Sequence, residues 1–281
     1  MERRILIASD IHLCHKDWNG VPNAERVAMF VEDVLAEYRR RPFEALLLLG
    51  DYSLDHWAWE IQGCYLNDGF SYTEKFVKEY LSRLQVLPIE IRMIAGNHEQ
   101  FGEENWRRIT GHSRVEEYLC GGVRFLLLDT FAGNLDPTEH SDGTYTGADV
   151  AAIRRALAAH PDEKFVLCAH HFAPDRESEE FKQLMREEPR LLCLFGGHVH
   201  RSRVIPLGEE FGNKLLLYTG QFSYTGPKHE TVPDSMWGFR EVVLTEHTLD
   251  TAYLTPAHDV FVDGKPYSHP AGTQDAAHVA F

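Results

Sequence analysis

Residues 191–200 read LLCLFGGHVH. Leu191 to Phe195 form an unbroken apolar run, the pattern of a strand covered on both faces. Two glycines and two histidines, His198 and His200, follow at once. The same layout occurs four more times. ILIASDIH (5–12) ends in Asp10 and His12, ALLLLGD (45–51) in Asp51, IRMIAGNHE (91–99) in Asn97 and His98, and FVLCAHH (165–171) in His170 and His171. Five apolar strands thus deliver polar residues at their C-terminal ends, where open α/β sheets bind ligands. Groups far apart in sequence can therefore meet in space.

Working outward, apolar runs predict strands over Arg4–Ala8, Ala45–Leu49, Ile89–Ile94, Val123–Leu128, Phe165–Ala169, Leu191–Phe195, Leu215–Thr219 and Phe239–Leu244. Helical spacing predicts helices over Ala24–Arg39, Tyr72–Leu84, Ala148–Ala158 and Glu177–Arg186, with Asn23 and Thr146 as N-caps. Alternating β and α segments predict an α/β domain rich in parallel pairing. The later, more β-rich part, with the turn signals LGEEFGN and VDGK, predicts a second sheet packed on the first. One domain over 1–281 is expected. Pro, Gly and His accumulate after Pro256, so residues 256–281 are expected to form an irregular tail.

The chain has 281 residues, 43% hydrophobic and 25% charged, which is ordinary for a globular protein. Its 43 acidic and 28 basic side chains give a formal net charge of −15. Such a surface repels polyanions, which argues against nucleic-acid duplexes and anionic membranes as partners. Cys14, Cys64, Cys120, Cys168 and Cys193 are scattered without a C-x-x-C pair, which fits a reducing, cytoplasmic setting. No segment approaches the roughly 20 apolar residues of a spanning helix.

The polar tips make a chemically coherent set. Carboxylates and neutral imidazoles suit Mn, Fe, Zn or Co. Residues i and i+2 of an extended segment project to one side, so Asp10 with His12, and His198 with His200, are each expected to reach one point. Asp10, His12, Asp51, Asn97, His170, His198 and His200 are too many ligands for one ion that must also bind substrate. Shared between two ions, with one carboxylate bridging, they fit a centre that clamps a phosphoryl group and acidifies a water.

The series D-x-H, G-D-x-x-x-D, G-N-H-E, H-H and G-H-x-H, in this order from Asp10 to His200, resembles the calcineurin-like metallophosphoesterases. The resemblance implies a sandwich of two β-sheets flanked by helices. It implies that Asp10, His12 and His200 hold a first metal and that Asn97, His170 and His198 hold a second. Asp51 would bridge the two ions, which would be Mn, Fe or Zn. His98 would contact the phosphate and assist the leaving oxygen, while a hydroxide held between the metals attacks phosphorus.

Further stretches are similar to the cyclic-nucleotide phosphodiesterase branch of that family: the segment FLLLDTFAGNLD (125–136), YTGQFSYTG (218–226) and WGFREVVL (237–244). They point to small phosphodiesters, cyclic nucleotides among them. HHFAP departs from that branch's His-His-Pro-Pro, and Glu99 stands where it usually has Asp. Purple acid phosphatases share G-N-H-E, but Leu54 occupies the position of their iron-binding tyrosine. A phosphomonoesterase and a non-catalytic scaffold are the competing readings; the complete ligand set and His98 speak against the scaffold. His171 is open between support of a ligand, substrate contact and packing. Asp55 and Glu99 are expected to support the ligands rather than coordinate, and Asp129 to be structural. The aromatic stretch after Asp51 is expected to be a packed excursion before the next helix.

Overall fold

The computed structural model describes residues 2–14, 17, 21–54, 72–100, 102–133, 135, 143–223, 236–262, 265–269 and 271–281. Asp55, His56, most of the aromatic stretch after Asp51, Cys64, His15, His140 and His229 lie outside them.

The parallel strands of sheet I are β1 (Arg3–Ala8), β2 (Ala45–Leu49) and β3 (Glu90–Ile94), with β3 at the edge. On the other side of β1, β10 (Phe239–Leu244), β11 (Thr248–Thr255) and β14 (Gly272–Ala280) add antiparallel strands, giving the order β14-β11-β10-β1-β2-β3. Sheet II holds β4 (Glu116–Cys120), β5 (Val123–Leu128), β6 (Lys164–Ala169), β7 (Leu191–Gly196), β8 (Ser202–Pro206) and β9 (Leu215–Thr219), ordered β4-β5-β6-β7-β9-β8. Its four inner strands are parallel and its two edge strands antiparallel.

The unbroken apolar runs are explained by what covers each face. Ile5, Ile7, Leu47, Leu49 and Ile94 pack between the sheets against Phe125, Leu127, Val166, Cys193 and Phe195. The alternate residues Leu6, Leu46 and Leu48 face helix α1 (Asn23–Arg40), where Val27, Phe30, Val31 and Val34 meet them. On the far side, Leu126, Leu128, Phe165, Leu167 and Leu194 pack against α4 (Val150–Ala159) and α5 (Glu179–Glu187). This gives four layers, α/β/β/α. Truncating a buried residue here, such as Leu47→Ala, would cost about 2–5 kcal/mol.

Some local expectations are corrected. Residues 72–86 are not one α-helix: an α-turn, α2 (Tyr72–Lys75), runs into a π-helical turn (Phe76–Tyr80) and a 3₁₀ turn (Leu81–Val86). The wider π turn lets Phe76, Tyr80, Leu81 and Leu84 all reach the core. A short helix, α3 (Glu103–Thr110), was not anticipated. Asn23 is the first residue of α1 rather than its cap, and its Oδ1 accepts from Cys14 N at 3.0 Å. Asp149, not Thr146, caps α4 by accepting from Ala152 N at 2.9 Å. The stretch after Pro256 is not irregular. It forms the hairpin of β12 (His258–Val262) and β13 (Lys265–His269), and then β14, whose backbone pairs along β11. Among the described residues no helix is long and apolar enough to cross a membrane.

Candidate metal centre

The parallel strands β1, β2 and β3 end side by side in sheet I, as do β6 and β7 in sheet II. All eight residues singled out in the sequence come together at these ends. His200 Nε2 lies 3.2 Å from Asp10 Oδ1 and 3.2 Å from His12 Nε2. His170 Nε2 lies 3.1 Å from Asp51 Oδ2 and 3.0 Å from Asn97 Oδ1, and His198 Nδ1 lies 2.9 Å from Asn97 Oδ1. His12 Nε2 is 3.6 Å from Asp51 Oδ2, which joins the two groups. His98 Nε2 is also 3.6 Å from Asp51 Oδ2, and its backbone N–H donates to Asp51 Oδ1 at 3.2 Å. Three donor triads result: Asp10–His12–His200, Asp51–His170–His198 and His12–Asp51–His98.

The convergence does not arise as the extended-strand reading supposed. Asp10, His12, Asp51, His198 and His200 all have positive φ, between 54° and 69°. Each left-handed turn re-aims its side chain, at a cost of roughly 1–2 kcal/mol per residue. Main-chain bonds hold the turns: Ile11 N and His12 N both donate to the Asp51 carbonyl, at 2.8 and 3.0 Å. Glycine is needed where the segments touch. A Cβ on Gly96 would lie 2.2 Å from Asp51 Oδ1, and one on Gly197 would lie 2.8 Å from Asp10 Oδ2.

The electrostatics are those of charges held out of water. Burial alone would raise Asp10, but His200 and His12 override it and hold its carboxyl well below the usual range. Burial likewise opposes ionisation of Asp51, and His170 and His98 outweigh it. Burial disfavours the His170 cation, yet the Asp51 carboxylate pushes this imidazole up to about 9. Its Nδ1 faces the Leu49 carbonyl at 2.7 Å, which leaves Nε2 toward the other donors. Asp10 Oδ1 is buried and, among the described residues, accepts no well-aligned hydrogen bond, although His200 Nε2 lies 3.2 Å away. A cation among these oxygens and nitrogens would satisfy it, so the donor set fits divalent metals. Asp10, Asp51 and His170 are sealed, while His198 and His200 remain partly exposed, so the centre opens on the side of sheet II.

Supporting residues complete the picture. Glu99 is fully buried and accepts from the backbone N–H groups of Gly96 and Asp51, both at 2.8 Å, and of Tyr52 at 2.9 Å. Burial and the nearby Asp51 carboxylate push it up to about 8 against those bonds. The Tyr52 hydroxyl sits 2.7 Å from the carbonyls of Leu48 and Ile94 and accepts from Gly50 N. Ser9 Oγ donates to Asp10 Oδ2 at 2.5 Å. The sequence offered no sign of the roles of Ser9 and Tyr52. His171 packs its ring 4.4 Å from that of His198, and burial and that neighbour push it down to about 3. Asp129 pairs with Arg114 Nε at 2.5 Å, apart from the cluster.

Residues 3–202 match the model of a family described as calcineurin-like phosphoesterase. No curated protein matches the sequence. A dimetal phosphatase from Danio rerio is similar in structure, with a TM-score of 0.64 and 12% identity over 99% of this chain and 98% of that one. A purple acid phosphatase from yellow lupin (Lupinus luteus) seeds gives 0.59 and 12%, over 100% of this chain and 54% of the other. PhoD gives 0.56 and 10%, over 99% and 69%. At such identities these likenesses speak for the fold, two six-stranded sheets flanked by helices. The family match, spanning all the clustered donors, carries the identity: the chain belongs to the calcineurin-like phosphoesterases, metal-dependent hydrolases of phosphoric esters.

Proposed function

We propose that the chain is a cytoplasmic hydrolase of small phosphodiesters, cyclic nucleotides among them, working with two divalent ions of Mn, Fe or Zn. The observation that carries this reading is the position of Asp51, whose carboxylate stands between two donor groups with His98 beside it. Asp10, His12 and His200 would hold one ion and Asn97, His170 and His198 the other, with Asp51 within reach of both groups. When bound, such a pair acidifies a water and neutralises charge on the ester oxygens. Asp51 is kept in place by its backbone bond to Glu99, and His170 by the Leu49 carbonyl. His98 delivers a proton from Nε2 to the leaving oxygen. The four described cysteines are free and buried, in keeping with a reducing compartment.

Support for a diester comes from the Gln221–Phe222 segment, which resembles the phosphodiesterase branch and abuts the first donor group. Phe222 N donates to the Asp10 carbonyl at 3.1 Å, and Ser223 Oγ lies 3.4 Å from His200 Nδ1. A second reading, a phosphomonoesterase, draws on Glu99, which purple acid phosphatases share. Leu54, buried where those enzymes carry their metal-binding tyrosine, weighs against it. Turnover of bis(p-nitrophenyl) phosphate and p-nitrophenyl phosphate, compared with Mn²⁺ present, separates the two. The diester is expected to have the higher kcat/KM; a wide preference for the monoester would reverse the assignment.

A further inference from the structure

Arg26 lies on the first turns of α1, is 1% exposed, and contributes no ligand. Its guanidinium reaches two separate stretches of chain. Nη1 donates to the carbonyls of Ile11 and Phe222, and Nη2 donates to the carbonyl of His12 at 2.9 Å. Asn23, one turn earlier, adds a bond from Nδ2 to the same His12 carbonyl at 3.3 Å. These carbonyls belong to the left-handed turn that carries Asp10 and His12 and to the segment that backs His200 through Ser223. A backbone strained in this way persists only where its surroundings over-determine it. Sheet I supplies part of that constraint through the Asp51 carbonyl, and α1 adds to it through Asn23 and the planar fork of Arg26.

We propose that Arg26 is a positioning residue that sets the spacing of His12 and His200, and so the metal affinity of the Asp10–His12–His200 group alone. The inference rests on the donor groups assigned above. Selectivity follows from where the fork points. The side chains of the Asn97–His170–His198 group are held from other elements, His170 by β2 and His198 by its Asn97 contact, while a tie to the first group runs through the His198 backbone N–H, which donates to Asp10 Oδ2 at 2.9 Å. Lysine cannot replace the fork, because an ammonium has no rigid pair of parallel donors.

The test titrates Mn²⁺ alone into metal-stripped protein, using two backgrounds. His198→Ala leaves the first group whole, and His200→Ala leaves the second. Adding Arg26→Lys is expected to weaken Mn²⁺ binding about 10- to 100-fold in the His198→Ala background, the usual effect of losing a ligand-orienting partner. It is expected to leave the His200→Ala background unchanged. Val34→Ala, a buried truncation on the same helix, controls for lost stability and is expected to leave both unchanged. Should Arg26→Lys not fold, Arg26→Gln is titrated in the same way. Equal weakening in both backgrounds, or none in either, overturns the role given to Arg26. If His198→Ala and His200→Ala by themselves still take up two ions at wild-type affinity, the donor-group assignment falls, and the inference with it.

Discussion

At the N-terminal end of sheet I, Arg4 is buried and donates to Glu37, to Glu241 and to the carbonyl of Arg41. At the C-terminal end of the same strand, Asp10 is buried just as deeply, yet among the described residues one of its oxygens accepts no well-aligned hydrogen bond. The first end also carries a cavity of about 760 Å³, lined by Arg4, Tyr38, Arg41, Phe43 and Tyr118. Its Arg4 and Arg41 are already matched by Glu2, Glu37 and Glu241. Neither buried charge nor open volume therefore marks the site. What separates the two ends is unspent coordination together with strain: Asp10, His12 and Asp51 stand in left-handed backbone, whereas β1 at Arg4 is regular strand. The polar residues at one end complete the architecture; those at the other form a donor set that fits a cation.

Substitutions can sharpen this contrast. The largest expected effect is at the metal end. His98→Ala should lower kcat by about 10²–10⁴-fold, the usual contribution of a positioned proton donor. Metal content should stay intact, and elemental analysis alongside kinetics checks both; an emptied centre would make His98 a ligand instead. Next comes the opposite end. Arg4→Met should remove about 2 kcal/mol of stability, because Glu37 and Glu241 each lose a buried charged hydrogen bond and keep only Arg40 and Arg41, while turnover per folded molecule is unchanged. Urea unfolding and titration of active sites measure the two quantities, and a matching loss of turnover would dissolve the distinction between the ends. The smallest effect is expected from Glu99→Gln. Its amide must turn an N–H₂ toward one of the N–H groups of Gly96, Asp51 and Tyr52, which should loosen Asp51 and weaken metal affinity about tenfold. Isothermal titration reads this directly.

Much of this was legible because the central strands are covered on both faces. Unbroken runs such as Leu46–Leu49 need no periodicity to be recognised, and the polar residues after them stand out by contrast. β4 was missed because EEYLC, at an edge, has no apolar run, and its Leu119 is 48% exposed. The tail was misread because composition reports what side chains prefer, whereas β14 is held by backbone pairing to β11. The ligands were legible as residue types, but the left-handed turns that aim them were not. Those turns come from contacts between distant segments, such as Gly96 against Asp51 and Gly197 against Asp10. Arg26 was invisible for the same reason: its partners are main-chain carbonyls, which leave no trace in sequence.

Two cations are proposed to share Asp51. Metal-edge anomalous diffraction from crystals grown with Mn²⁺, on wild-type protein and Asp51→Asn, tests it most directly. Two peaks per chain are predicted in the wild type, one among Asp10, His12 and His200 and one among Asn97, His170 and His198, both touching Asp51, with occupancy lost at both in the variant. A single peak enclosed by His12, Asp51 and His98, or two peaks that survive Asp51→Asn undiminished, would contradict it.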